Sequence, residues 1–172
     1  LQYFADPTDL GSDFEGQSWL PQVTIYDTGG NSDTSSGLGV LVYTMHALSV
    51  AESINYGTLS VGSTTEDINA TTTIQNTGND NIDVSLDGTD LVSAGGSIDV
   101  DKQKYATSTF TYSACVICDF LTGTSTPYEV DLPKPTSTTS PVTEEVFWGI
   151  EVPIGSAGLS HQGVNTFTAK PD

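Results

Sequence analysis

Arginine is absent from these 172 residues, and lysine occurs only four times against 22 acidic side chains, for a net charge of −18. Nucleic-acid binding needs cations that neutralise phosphates, so that function class is excluded. The same charge disfavours anionic membrane surfaces. No run of about 20 apolar residues is present to cross a bilayer as a helix, so no membrane insertion is expected. An initiating Met and a signal peptide are also lacking, so Leu1 is expected to be a processed terminus or a fragment boundary. The chain has only two cysteines and two histidines. A four-ligand zinc site would need all of them.

What is present is polar and β-like. Ser and Thr make up about a quarter of the chain, and 36% of it is hydrophobic. Thr favours strands, while Ser, Gly, Asn and Asp populate turns. The apolar residues come in short runs, and the length suits one domain with an appended segment.

Residues 1–18 are acidic and interrupted by Pro7, Gly11 and Gly16, which reads as an N-terminal arm or donated segment. Leu1, Tyr3 and Phe4 are its apolar docking candidates. The rest, 19–172, reads as one β-sandwich. Residues 20–27 alternate as a first strand, and 27–37 reads as a loop. Residues 38–54 form the longest apolar stretch, expected as a central strand buried on both faces. A helix over 44–53 is the rival reading. Further strands are expected over 67–75, 82–86, 104–116, 128–132, 145–152 and 164–169, separated by Gly, Asn, Asp and Pro turns. Residues 133–141 are a Pro/Ser/Thr connector. Nine or ten short strands at regular spacing mean an all-β sandwich or barrel.

The run Ile54-Asn55-Tyr56-Gly57-Thr58-Leu59-Ser60-Val61-Gly62-Ser63 is followed by Thr71-Thr72-Thr73-Ile74-Gln75-Asn76-Thr77-Gly78-Asn79. Near the end come Trp148-Gly149-Ile150-Glu151-Val152-Pro153-Ile154-Gly155 and Gly163-Val164-Asn165-Thr166-Phe167-Thr168-Ala169. These motifs resemble immunoglobulin-like β-sandwich domains of bacterial and archaeal cell-surface and extracellular filament proteins, of the pilus or surface-layer type, over residues 38–170. The resemblance implies an immunoglobulin-like or jelly-roll-like sandwich. It implies a spacer, an adhesin, or a subunit of a filament or surface layer, some of which join by strand donation. The chain departs from type IV pilins in having no N-terminal apolar helix.

Cys115-Val116-Ile117-Cys118 has three readings: a local disulfide, a redox pair, or half a zinc site. A redox pair needs a helix N-terminus, and this pair ends a β run. A regular strand holds residues three apart at about 10 Å, so a disulfide requires a bulge or turn at Val116-Ile117. The disulfide is the expected reading, given an extracellular location.

Asp27-Thr28-Gly29 matches half of an aspartic-protease signature, but that chemistry needs a second carboxylate. His46 in its apolar run is expected to be a packed core or interface histidine, and His161 a loop residue. Glu144 and Glu145 alternate across a strand and cannot act together. Calcium is the cofactor the acidic loops suggest, with Asp6, Asp9, Asp13, Asp27, Asn31 and Asp33 as ligand candidates, although no stretch matches the twelve-residue calcium loop. Asn69-Ala70-Thr71 is a glycosylation sequon. Trp19 is the candidate ligand aromatic, and Trp148 is expected in the core.

The expected function is non-enzymatic: a structural subunit or module of an extracellular filament or cell-surface layer, assembling through β-strand contacts with itself or other surface components. The alternative is an adhesin or carbohydrate-binding module, with glycans as partners.

Overall fold

The computed structural model describes residues 5–50, 53–137 and 139–172. It is all-β, with twelve short strands among the described residues rather than nine or ten. In chain order these are β1 (Gln22–Tyr26), β2 (Ser32–Ser36), β3 (Leu48–Val50), β4 (Ala70–Asn76), β5 (Ile82–Gly88) and β6 (Leu91–Ser93). There follow β7 (Gly96–Ile98), β8 (Gln103–Ala106), β9 (Asp119–Phe120), β10 (Thr126–Leu132), β11 (Thr143–Ile150) and β12 (Asn165–Pro171).

Two sheets face each other across one core. One has five strands in the order β3-β4-β11-β8-β9, the other three in the order β10-β5-β12. The pairs within them are antiparallel. Ile74, Tyr105, Val146 and Trp148 enter the core from the first sheet; Ile82, Val84, Leu86, Val130 and Leu132 enter from the second. The period-2 alternation read from the sequence sets these directions. Tyr105 meets Tyr128 edge-on at 4.8 Å, and Trp148 meets Phe167 at 5.9 Å, so aromatic contacts join the sheets. Strand β5 is flanked on both sides and is buried on both faces from Ile82 to Leu86.

The expectation for residues 38–54 is corrected. Among the described residues of this stretch only β3 is a strand, and it lies at the edge of the five-stranded sheet. Other partners take the preceding backbone. Val42 exchanges hydrogen bonds with Thr8, and the Thr44 amide donates to Asp9. The Met45 amide donates to Asn79 Oδ1 at 2.7 Å, while Asn79 Nδ2 donates to the Tyr43 carbonyl at 3.0 Å. A backbone held by side chains is not free to extend a ladder.

The expected strand over 104–116 is also shorter. It ends with β8 at Ala106, and a 3-10 turn follows at Tyr112–Ala114. The Phe110 amide donates to Asn69 Oδ1 and the Tyr112 amide to the Glu66 carbonyl, which pins this excursion to the chain before β4.

Residues 32–36, read as loop, form the return strand of a ribbon. β1 and β2 pair with each other and with neither larger sheet. Asp27 organises the turn by accepting the Gly29 amide at 2.8 Å, the Asn31 amide at 2.9 Å and Asn31 Nδ2 at 2.7 Å. Another small hairpin, β6-β7, stands beside the end of the core.

Candidate functional site

The sequence-predicted site residues fall in separate places. Cys115 and Cys118 form a disulfide with Cα atoms 5.8 Å apart, across bends at Val116 and Ile117. The bond closes a loop whose tip, Val116, is 94% exposed.

The proposed calcium ligands do not form one cluster, although Asp27 and Asn31 meet in their turn. Asp9 accepts from the Thr44 amide and hydroxyl, and those bonds hold its carboxyl below the usual range. Asp6 pairs with Lys134. Asp27 is committed to its turn, and hydrogen bonds from the Asn31 side chain and backbone lower its carboxyl. Asp33 accepts the Thr34 amide. Among the described residues, the one group of three close carboxylates is Asp83, Asp131 and Asp172, within 4.8 Å of one another. Asp83 Oδ1 there accepts the Val130 and Asp131 amides at the β10 irregularity. Three oxygens would supply only part of a calcium shell of six to eight. Glu129 stands beside this group, and repulsion from Asp83 pushes its carboxyl up.

Asn69 is not presented for glycosylation: its Nδ2, the atom a glycan would modify, is buried without a partner. Trp148 is fully buried in the core. Trp19 is 46% exposed, with its Nε1 donating to the Asp6 carbonyl and its backbone bridged to Val40. His46 is partly buried, its side chain 26% exposed, with Nε2 at 3.2 Å from Asp80 Oδ2. His161 lies in a loop, between the Leu159 carbonyl and the Ser93 hydroxyl. Leu1, Tyr3 and Phe4 lie outside the described residues. Thr8, Asp9 and Trp19 dock along Val40–Thr44.

Two surfaces emerge that residue-by-residue reading missed. The first is the β1-β2 ribbon, exposed along both strands. Val23 and Ile25, opposite Ser35 and Asp33, present an apolar row on one face, each about two-thirds exposed. Leu20, Leu38, Val40 and Leu41 extend this surface at the ribbon's base, all exposed. Burying one Val or Ile side chain is worth about 1.5–3 kcal/mol, so leaving this row in water is costly.

The second is a groove of about 660 Å³ between the segment at residues 53–59 and the loop leading into β12. Its floor is the small cluster of Leu91, Ile98 and Ile150 with Tyr56, Leu59 and Val152. Gln103, nearly fully buried behind it, exchanges hydrogen bonds with Asn165 and accepts the Tyr56 hydroxyl at 2.8 Å. Burial pushes the Tyr56 hydroxyl strongly upward, so it stays a neutral donor. Among the described residues lining the groove, none is Asp, Glu or Lys. The signal for the groove and for the ribbon's base was the spacing of charge: residues 34–51, 53–65 and 152–169 contain no Asp, Glu or Lys.

Compared with known proteins, the chain matches no family model, no curated protein and no solved structure. No helix among the described residues is long and apolar enough to cross a membrane.

Proposed function

We propose that this chain is a structural module of an extracellular filament or cell-surface layer, built on an immunoglobulin-like sandwich and assembling through β-strand contacts. The observation that carries the reading is the β1-β2 ribbon. A lone two-stranded hairpin is marginal in water, and free strand edges are templates for pairing with another chain. Among the described residues this one pairs with no other strand, and it sets Val23 and Ile25 in solvent. The two-sheet core supports the sandwich part of the proposal. The disulfide supports an oxidising location, since such bonds persist mainly outside the cytosol.

The role is assembly rather than catalysis. Asp27 is bound into its turn, and Glu144 and Glu145, successive residues of β11, point to opposite faces. A second reading, an adhesin that stacks sugars on aromatics, is favoured by the exposed rings of Trp19, Tyr26 and Tyr43.

Electron microscopy of the protein concentrated at physiological salt tests the first reading. Ordered fibres or lattices are expected. Dispersed particles that bind a glycan array would overturn it in favour of the adhesin.

A further inference from the structure

We propose that Ser93 is a modification site: its hydroxyl, with His161 as general base, takes an acyl group from an activated ester or thioester. The inference goes beyond the assembly reading and does not depend on it.

The backbone brings the pair together. Val92 and Gln162 exchange both backbone hydrogen bonds, at 2.8 and 3.0 Å, in an antiparallel bridge. The next residues, Ser93 and His161, therefore stand opposite one another as a non-hydrogen-bonded pair, the position where side chains lie closest. Ser93 Oγ is 3.0 Å from His161 Nε2. A second contact fixes the loop from the other side. At Gly95, in the turn between β6 and β7, a Cβ would stand 2.5 Å from Ala157 Cβ and 3.1 Å from Leu159 Cδ1. Glycine there lets the turn pack against the segment that supplies the Leu159 carbonyl.

That carbonyl decides the tautomer. His161 Nδ1 lies 2.9 Å from it, and a carbonyl only accepts, so Nδ1 carries the proton. In the neutral ring Nε2 is then the acceptor, and the Ser93 hydroxyl donates to it. A hydroxyl bonded to a base that a third group orients is the arrangement of an activated nucleophile. The other acceptor in reach of Oγ, the Gly96 carbonyl, is farther away at 3.2 Å. The Gly95 amide donates to Oγ at 3.2 Å and favours negative charge there as the proton leaves. The exposed Ala94 amide donates to no described residue, which leaves it for the oxygen of a tetrahedral intermediate. His46, by contrast, meets the Asp80 carboxylate and no hydroxyl.

The step needs no cofactor. Ser93 Oγ bonds to the carbonyl carbon of the donor and passes its proton to His161 Nε2. The bond from that carbon to the alcohol oxygen or thiol sulfur breaks, and the leaving group takes the proton from Nε2. Ser93 keeps the acyl group as an ester, and His161 returns to its neutral form. A chain at −18 repels phosphoryl donors, whereas an ester or thioester with a neutral acyl group is not repelled. Ser93 and His161 are both only partly buried, so a small donor reaches them from solvent.

Acylation of the full chain by p-nitrophenyl acetate tests the assignment, with acid quenching and peptide mapping by mass spectrometry. Ser97, exposed on the same hairpin, serves as the reference hydroxyl. General-base assistance is worth at least about a hundredfold, so Ser93 should be acetylated faster than Ser97 by about that factor. His161→Ala should remove the advantage. His161→Asn, which keeps a hydrogen-bond acceptor but is no base, should remove it too, whereas a merely structural histidine would be replaced by it. Acetylation of the four lysines does not pass through His161 and should be the same in all three proteins, which reports equal reagent and an intact fold. Ser93 labelled no faster than Ser97 overturns the proposal. So does an advantage that survives in either variant.

Discussion

Asn79 Oδ1 accepts the Met45 amide hydrogen at 2.7 Å, from a side chain with no exposed surface. The same carboxamide donates to the Tyr43 and Ala5 carbonyls at 3.0 and 3.1 Å. One residue of the β4-β5 turn thus holds two distant segments. Asn79→Ala leaves three backbone groups without this partner, at about 1–3 kcal/mol for each that stays buried. A loss of at least about 3 kcal/mol in urea unfolding is expected, with faster hydrogen exchange at Met45. A loss below about 1 kcal/mol would show that solvent takes over these bonds.

Gly78 makes the neighbouring approach. A Cβ there would overlap the Met45 carbonyl oxygen, whereas at Gly158 it would meet nothing. Gly78→Ala should destabilise by about 1–3 kcal/mol through overpacking. Gly158→Ala should be neutral or slightly stabilising, because it only restricts the unfolded chain. Equal melting temperatures for the two variants would contradict the close contact.

The Cys115–Cys118 bond closes a four-residue loop. Loop-closure entropy for so short a loop corresponds to about 2 kcal/mol. Intact-mass measurement without reductant should show a loss of two hydrogens, and reduction should lower unfolding stability by about that amount. Two thiols that alkylate freely in native protein would refute the bond.

Glu129 is pushed above its ordinary value of 4.5, first by the charge of Asp83 and then by hydrogen bonding to it. A carboxyl raised by folding is disfavoured in its ionised form, so its cost is present at neutral pH. That cost disappears once the pH falls below the ordinary value and both states are protonated. Glu129→Gln should therefore raise the melting temperature at pH 7, with the gain vanishing below about pH 4.5. A gain of the same size at pH 3.5 would assign the effect to packing instead.

Acidic titration of Asp9 should show the opposite sign. Hydrogen bonds from the Thr44 amide and hydroxyl lower its carboxyl, so the stability it supplies is present above the ordinary range and lost as pH falls through the lowered value. Asp9→Asn should narrow the difference in melting temperature between pH 6 and pH 3. An unchanged difference would place the acid sensitivity in other carboxylates.

Alternation made much of the core readable. Ile82, Val84 and Leu86 in β5, and Val146 and Trp148 in β11, stand where a two-residue period puts them. The same reasoning failed for residues 38–47. That stretch is apolar, but its backbone is bonded to Thr8, Asp9 and Asn79, and its side chains are largely exposed. Hydrophobicity marks what could be buried; partners far along the chain decide whether it is.

The candidate site divides the same way. The Cys-x-x-Cys spacing pointed to a turn at Val116-Ile117, and the turn is there. The acidic loops suggested metal ligands, yet Asp6, Asp9 and Asp27 are occupied by Lys134, Thr44 and Asn31. Local spacing carries no information on which hydrogen-bond donors a carboxylate will meet.

By itself the sequence determined the all-β class, most strand positions and the disulfide turn, because these follow from local periodicity and turn chemistry. Only the tertiary structure decided that β1-β2 stands apart with Val23 and Ile25 in water, and that three uncharged stretches include the walls of one groove. The physical reason is that exposure and juxtaposition depend on contacts between residues far apart in the chain, such as Asn79 with Met45 and Gln103 with Asn165.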